Sequence, residues 1–363
     1  MSGGYAKIIE QVQRRIAEEG NPADLGSLVR DVAGGVLSDR DVFQILRKIR
    51  HDSDGIGPLE SLVALPGVTD VVVNGACDIW FDRGNGLERA AIQFDDDNAV
   101  RQLATRLLNA SGRRLDDAQC FADGRIARQD GSSLRVHAIL SPPSDTGTCI
   151  SLRVLKQSRA GLDDLCQYGT FSPQTQRIVE QIIDSRRSLL VIGGTGSGKT
   201  TLLGALLSRV SPKQRIICIE DTAELKPEHP HCISLVTRAK NTEGKGEITM
   251  TDLLKQALRM RPDRIVVGEI RGAEVVDLLA ALNTGHEGCA GTVHANSLHE
   301  VPARLEALAA LGGLSRSALH SQLAAAKPVV LMMKKTPEGR KLQQIGELVG
   351  NPTQIKVIWE KNT

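Results

Sequence analysis

Aromatic residues are scarce in this chain, with two Trp, two Tyr and five Phe among 363 residues. Base-stacking surfaces of the single-strand-binding kind are built from such rings, so their scarcity argues against one. A surplus of charge is also missing: 45 Lys and Arg against 43 Asp and Glu leave +2, with no global pull toward nucleic acid or anionic lipid. No apolar run approaches the ~18 residues of a spanning helix. The opening MSGGYAKIIEQVQRR has no hydrophobic signal core, so any membrane association is expected to be peripheral and through a partner. The seven cysteines, Cys77, Cys120, Cys149, Cys166, Cys218, Cys232 and Cys289, are odd in number and without C-x-x-C spacing. That pattern fits reduced thiols in a cytosolic compartment. The cluster His229-Pro230-His231-Cys232 lacks a spaced second half and reads as a polar turn before it reads as a metal site.

The composition, 41% apolar and 24% charged, is that of a soluble globular protein, and the length favours two domains. The most informative stretch is GGTGSGKT, Gly193 to Thr200. It matches the phosphate-binding pattern G-x-x-x-x-G-K-[ST] at Gly193, Gly198, Lys199 and Thr200. A short apolar run, Ser188 to Ile192, precedes it, and Thr201 to Val210 follows with helical spacing of Leu and Ala. Strand, glycine loop and helix in that order turn successive backbone N–H groups toward a polyphosphate. Gly193, Gly194, Thr195, Gly196, Ser197, Gly198, Lys199, Thr200 and Thr201 are the candidate nucleotide-binding residues. Lys199 is expected to reach the β- and γ-phosphates, and the Thr200 hydroxyl to ligate Mg²⁺.

Periodicity divides the chain into four parts. Residues 1–55 read as helices: Ile8, Ile9, Val12 and Ile16 share one face, and Ser38 with Asp41 makes a capping box before Val42, Ile45, Leu46 and Ile49. Residues 56–157 read as an α+β domain. It has strands at Val68 to Asn74 and Cys149 to Leu155, a hairpin across Gly84-Asn85-Gly86, a helix over Ala99 to Ala110, and a second hairpin turning at Asp130-Gly131. Residues 158–173 are expected to be a linker. Residues 174–363 alternate helices with apolar strands at Leu189–Ile192, Ile216–Ile219, Arg264–Val267, Gly291–His294 and Val329–Met333, an α/β domain on a largely parallel sheet.

Hydrolysis needs more than a phosphate loop: a carboxylate for the water, a metal partner, and cations for the developing charge. Strand Arg264–Val267 runs into Gly268-Glu269, and strand Ile216–Ile219 into Glu220-Asp221. Glu269 is the candidate metal ligand beside Thr200, and Glu220 stands where a second acid is wanted. His294 ends a strand next to Asn296, placed to sense the γ-phosphate side. Arg135, Arg153, Arg259, Arg261 and Arg271 are candidates for charge neutralisation, and the residues alone do not choose among them.

Further segments share a pattern with one family. GIGPLESLVALPGVTDVVVNG (Gly55 to Gly75), GRRLD (Gly112 to Asp116), DGSSLRVHAI (Asp130 to Ile139) and IEDTAEL (Ile219 to Leu225) belong to it, with the long stretch Asn241 to Glu274 and NTGHEGCAGTVHANS (Asn283 to Ser297). Together they resemble the type II/IV secretion (traffic) ATPases, the tight-adherence pilus branch most of all. The resemblance implies a RecA-like P-loop ATPase domain preceded by a smaller α+β N-terminal domain with N-terminal helices. It implies a homo-hexamer that hydrolyses ATP with Mg²⁺ at the cytoplasmic face of the inner membrane and passes work to a membrane platform protein. It also implies roles: Glu220 activating water, Glu269 as the Walker B acid, His294 as the His-box residue, and Arg135 with Arg153 approaching the phosphates as two domains close. The four-cysteine zinc module of some relatives is absent, so no zinc is expected. Two other classes remain: a RecA-like DNA motor of the conjugation or helicase type, disfavoured by near-neutral charge and scarce aromatics, and a nucleotide-binding scaffold without turnover.

Overall fold

The computed structural model describes residues 55–128, 130–155, 160–238, 240, 244–283, 285 and 287–361, together with 8, 11, 12, 15, 25–34, 37, 38, 41–43, 45 and 46. The chain divides into two compact units, Met1–Lys156 and Gln157–Thr363.

In the first unit, helix α1 (Leu25–Val32) belongs to a small cluster in which Val12, Val29, Val42 and Ile45 are buried. The Ser38 and Asp41 pair closes reciprocally: Ser38 N donates to Asp41 Oδ2 at 3.2 Å and Asp41 N to Ser38 Oγ at 3.3 Å. Of the residues expected on these helices, Ile9, Ile16 and Ile49 lie outside those described. Helix α2 (Glu60–Val63) leads to strands β1 (Asp70–Asn74), β2 (Ile79–Asp82) and β3 (Leu87–Arg89). Helix α3 (Asp97–Ala110) is capped by Asp96, whose Oδ1 accepts from Ala99 N at 2.8 Å. Its buried Val100, Leu103, Ala104, Leu107 and Leu108 repeat at helical spacing and form one apolar stripe. Strands β4 (Phe121–Ala127), β5 (Ser133–Ile139) and β6 (Cys149–Leu155) complete an antiparallel six-stranded sheet of order β3-β2-β1-β6-β5-β4. Alternation along β5 sends Leu134, Val136 and Ala138 into the core, leaving Arg135 and His137 on the opposite face.

The second unit opens with helix α4 (Leu162–Gln167), inside the stretch expected as linker. Its Leu162 and Leu165 are buried with Phe171 in the unit's core, so most of 158–173 is part of this unit. The helix is too short for its periodicity to register in sequence. Helix α5 (Pro173–Asp184) follows, with Ser172 as N-cap and Pro at the first helical position, as helix starts prefer. Then come β7 (Leu189–Ile192), α6 (Lys199–Ser208), β8 (Ile216–Glu220), β9 (Cys232–Val236), α7 (Met250–Ala257), β10 (Arg264–Ile270), α8 (Glu274–Asn283) and β11 (Ala290–Val293). Helices α9 (Val301–Leu311) and α10 (Arg316–Ala326) precede β12 (Val329–Thr336), β13 (Gly339–Val349) and β14 (Gln354–Glu360).

The eight strands run in the order β14-β13-β12-β7-β11-β10-β8-β9. Those from β12 to β9 are parallel, and β13 and β14 add on antiparallel. Burial on both faces explains the uninterrupted apolar strands. Leu189 and Val191 join α4, α5 and α6 on one side, while Leu190 and Ile192 join α7, α8, α9 and α10 on the other. A parallel sheet covered on both faces reads as near-continuous apolar runs, and the few polar side chains within it, such as Thr292, are hydrogen-bonded. Strands β9, β13 and β14 lie outside those expected from sequence. β9 is an edge strand with no fully buried residue in Cys232–Val236, and Ser234 interrupts its apolar residues.

Candidate nucleotide site

Strand β7, interior to the sheet, carries four consecutive buried residues to the C-terminal end of the parallel strands, and the chain turns at once into α6. Glycine permits the turn: Gly193, Gly196 and Gly198 have φ of 144°, 70° and 93°, values that side chains disfavour. A Cβ on Gly193 would lie 2.3 Å from the Met333 carbonyl oxygen and 2.6 Å from Ser197 Oγ. Gly198 is the N-cap of α6 and offers no side-chain cap, so the first amides of the helix remain available to an anion. Ser197 Oγ donates to the Gly194 carbonyl at 2.8 Å. Lys199, 8% exposed, donates from Nζ to the carbonyls of Gly193 and Gly194 at 2.8 and 2.9 Å. Thr200 and Thr201 follow in the first turn, half-buried, and Thr195 and Gly196 form the exposed crown of the loop.

The acids arrive on neighbouring strands. β8 and β10 pair with Ile219 opposite Val267, which sets Glu220 beside Gly268. Glu220 is 5% exposed. Its Oε1 accepts from the N–H groups of Glu224 and Leu225, both at 3.1 Å, and its Oε2 from Leu225 N at 3.2 Å. A Cβ on Gly268 would come within 2.5 Å of Glu220 Cγ. The register of β10 against β11 slips between Val267 and Ile270, the mark of a bulge, which re-aims a side chain. The Gly268 carbonyl accepts from Thr292 Oγ1 at 2.6 Å.

At that bulge Glu269 meets two partners. Its Oε1 lies 2.9 Å from His294 Nε2, and its Oε2 pairs with Arg271, whose other terminal nitrogen lies 3.5 Å from Asp221 Oδ2. Burial, and next the Lys199 charge, hold the His294 pKa below its ordinary value, opposed by Glu269. The hydrogen bond to Glu269 pushes the Arg271 guanidinium up. The structure thus gathers Lys199, Glu269, His294 and Arg271 at one end of the parallel strands, with Glu220 buried on the next strand. β11 lies between the loop-bearing β7 and β10.

Other candidate arginines are placed differently. Arg135 and Arg153 are cross-strand partners on β5 and β6, with Arg125 across from Arg135 and Asp70 across from Arg153. They form a row on one face of the first unit's sheet, Arg135 half-buried and Arg153 exposed. Arg259 and Arg261 are exposed beyond the end of α7. Sequence reasoning did not single out Gly268, Thr292 or Arg340, although a glycine interrupting an apolar strand is itself a bulge signal.

A RecA-like ATPase fold with a separate α+β N-terminal domain is the class that this architecture defines. Residues 52–344 match the model of the family described as type II/IV secretion system protein, and the chain belongs to that family. A putative conjugal transfer protein of Mycobacterium tuberculosis (strain CDC 1551 / Oshkosh) is 55% identical over 308 residues, 84% of this chain and 88% of that protein. The conjugal transfer protein TrbB of Rhizobium radiobacter is 32% identical over 310 residues, 84% and 91% of the two chains. A crystal structure of the pilus retraction motor PilT with bound ADP superposes with a TM-score of 0.58 at 19% identity, over 81% of this chain and 82% of that one. The Legionella pneumophila ATPase DotB gives 0.55 at 19% identity, over 85% and 80%. Among the described residues no helix is long and apolar enough to cross a membrane.

Proposed function

We propose that the chain is an ATP-hydrolysing motor, working as a homo-hexamer at the cytoplasmic face of the inner membrane and driving a platform protein of a pilus or secretion machine. The observation that carries this reading is the glycine loop with buried Lys199 standing beside the Glu269–His294 pair in a member of this family. The site suits ATP with Mg²⁺. A hydroxyl (Thr200) and a carboxylate (Glu269) are the hard oxygen donors that Mg²⁺ takes, and Arg271 already neutralises Glu269 where a metal would. Magnesium, when bound, supplies charge for the β- and γ-phosphate oxygens. Lys199 binds those phosphates, Glu220 positions the attacking water, His294 reports the γ-phosphate to Glu269, and Arg135 and Arg153 add positive charge in the transition state.

The tight-adherence pilus assignment rests on the motifs of the sequence. A conjugative DNA-transfer machine is the second reading, favoured by the conjugal transfer names of two relatives. Phosphate release from Mg·ATP by the purified chain tests the motor reading, with Lys199→Ala beside it. Loss of both nucleotide affinity and turnover in the variant is expected. An inactive wild-type chain, or a variant that binds and hydrolyses ATP normally, would overturn it. Stimulation of turnover by DNA would favour the second reading.

A further inference from the structure

One more cation stands at the glycine loop. The hairpin of β12 and β13 backs that loop: besides Met333 against Gly193, a Cβ on Gly198 would meet Arg340 Cδ at 3.0 Å. Arg340, near the start of β13, donates from Nε to the carbonyl of Gly196 at 2.9 Å. Among the described residues this is its one hydrogen bond, and no carboxylate pairs with it. Arg340 is exposed and fastened by Nε to the crown of a phosphate loop, and among the described residues its terminal N–H groups are unused. Guanidinium is always charged, and its planar fork matches phosphate oxygens.

We propose that Arg340 is a phosphate-binding residue of the nucleotide site: Nε fastens the loop at Gly196 while the terminal N–H groups bind a phosphate oxygen of the nucleotide. The inference rests on the nucleotide reading of the loop. Arg340 shares a unit with Lys199, so the two cations act from one scaffold.

Titration of the full chain and its variants with Mg·ADP tests this. Arg340→Ala is expected to weaken binding about tenfold, the scale of one lost charge-assisted hydrogen bond. Arg340→Gln, which keeps donors and bulk but not charge, should lose as much. Arg340→Lys should stay within about threefold of the wild type, because charge returns without the fork. An Ala variant within about twofold of the wild type, or full recovery by Gln, overturns the proposal. If Ala lowers the nucleotide-free melting temperature, the Lys and Gln pair decides, since both preserve the side chain's packing. Lys199→Ala serves as reference. Unchanged ADP affinity in Lys199→Ala means that the nucleotide reading itself has failed, whereas loss there with none in Arg340→Ala removes Arg340 alone.

Discussion

Replacing Gly268 by Ala puts a methyl group 2.5 Å from Glu220 Cγ, 3.0 Å from its Oε1 and 3.1 Å from its Cδ. Carbon atoms settle at about 3.5–4.0 Å, so Glu220 has to retreat by about 1 Å. It cannot do so without stretching the bonds from Glu224 N and Leu225 N. Gly268 is not in the left-handed region, so alanine brings no backbone strain and the effect is steric. Overpacking a tight interior costs about 1–3 kcal/mol, and a hydrogen bond to a buried charge contributes about 1.5–3 kcal/mol. With bonds lengthened rather than all broken, the variant should lose about 2–4 kcal/mol. In a unit of this size that lowers the melting temperature by about 5–15 °C. Thermal unfolding of the nucleotide-free chain measures the loss, and hydrogen exchange at the Glu224 and Leu225 amides should quicken with it. In a Glu220→Ala background the methyl has room, so the penalty of Gly268→Ala should fall below about 1 kcal/mol. A Gly268→Ala protein with wild-type melting and unchanged exchange at Leu225 would refute the packing argument.

Glu220→Gln should still bind ATP yet hydrolyse it about a hundredfold more slowly or worse if Glu220 positions the water. Turnover near the wild-type rate would move that role to another residue. For His294, the two charges beside it pull in opposite senses. Lys199→Ala removes a cation that disfavours the imidazolium and should raise its pKa toward 6.5. Glu269→Gln removes the anion that favours protonation and should lower it further. An NMR titration of the ring checks both directions, and a shift of either in the opposite sense would count against this placement of the three groups.

Much of this architecture was legible in the chain. Five strands of the larger sheet announce themselves as apolar runs because a sheet covered on both faces is apolar nearly throughout, and the phosphate loop announces itself because its backbone turns demand glycine at fixed places. Strand β9 escaped notice because it is five residues long at the sheet edge, with Ser234 breaking its apolar run and no residue fully buried. Helix α4 was missed because six residues are too few to display a period, though burial of Leu162 and Leu165 makes it part of the core.

The order of residues was enough to place Lys199 on a loop and Glu220, Glu269 and His294 at strand ends. Strand order decided which of them meet. Interposing β11 between β7 and β10 puts His294 against Glu269, and the bulge in β10 aims that acid. The β12–β13 hairpin brings Arg340 to Gly196 across 144 positions of sequence. Local pattern encodes the period and the turn of a segment, because those depend on near neighbours. Contacts between side chains far apart in the chain depend on which strands pair, and only the packed sheet settles that.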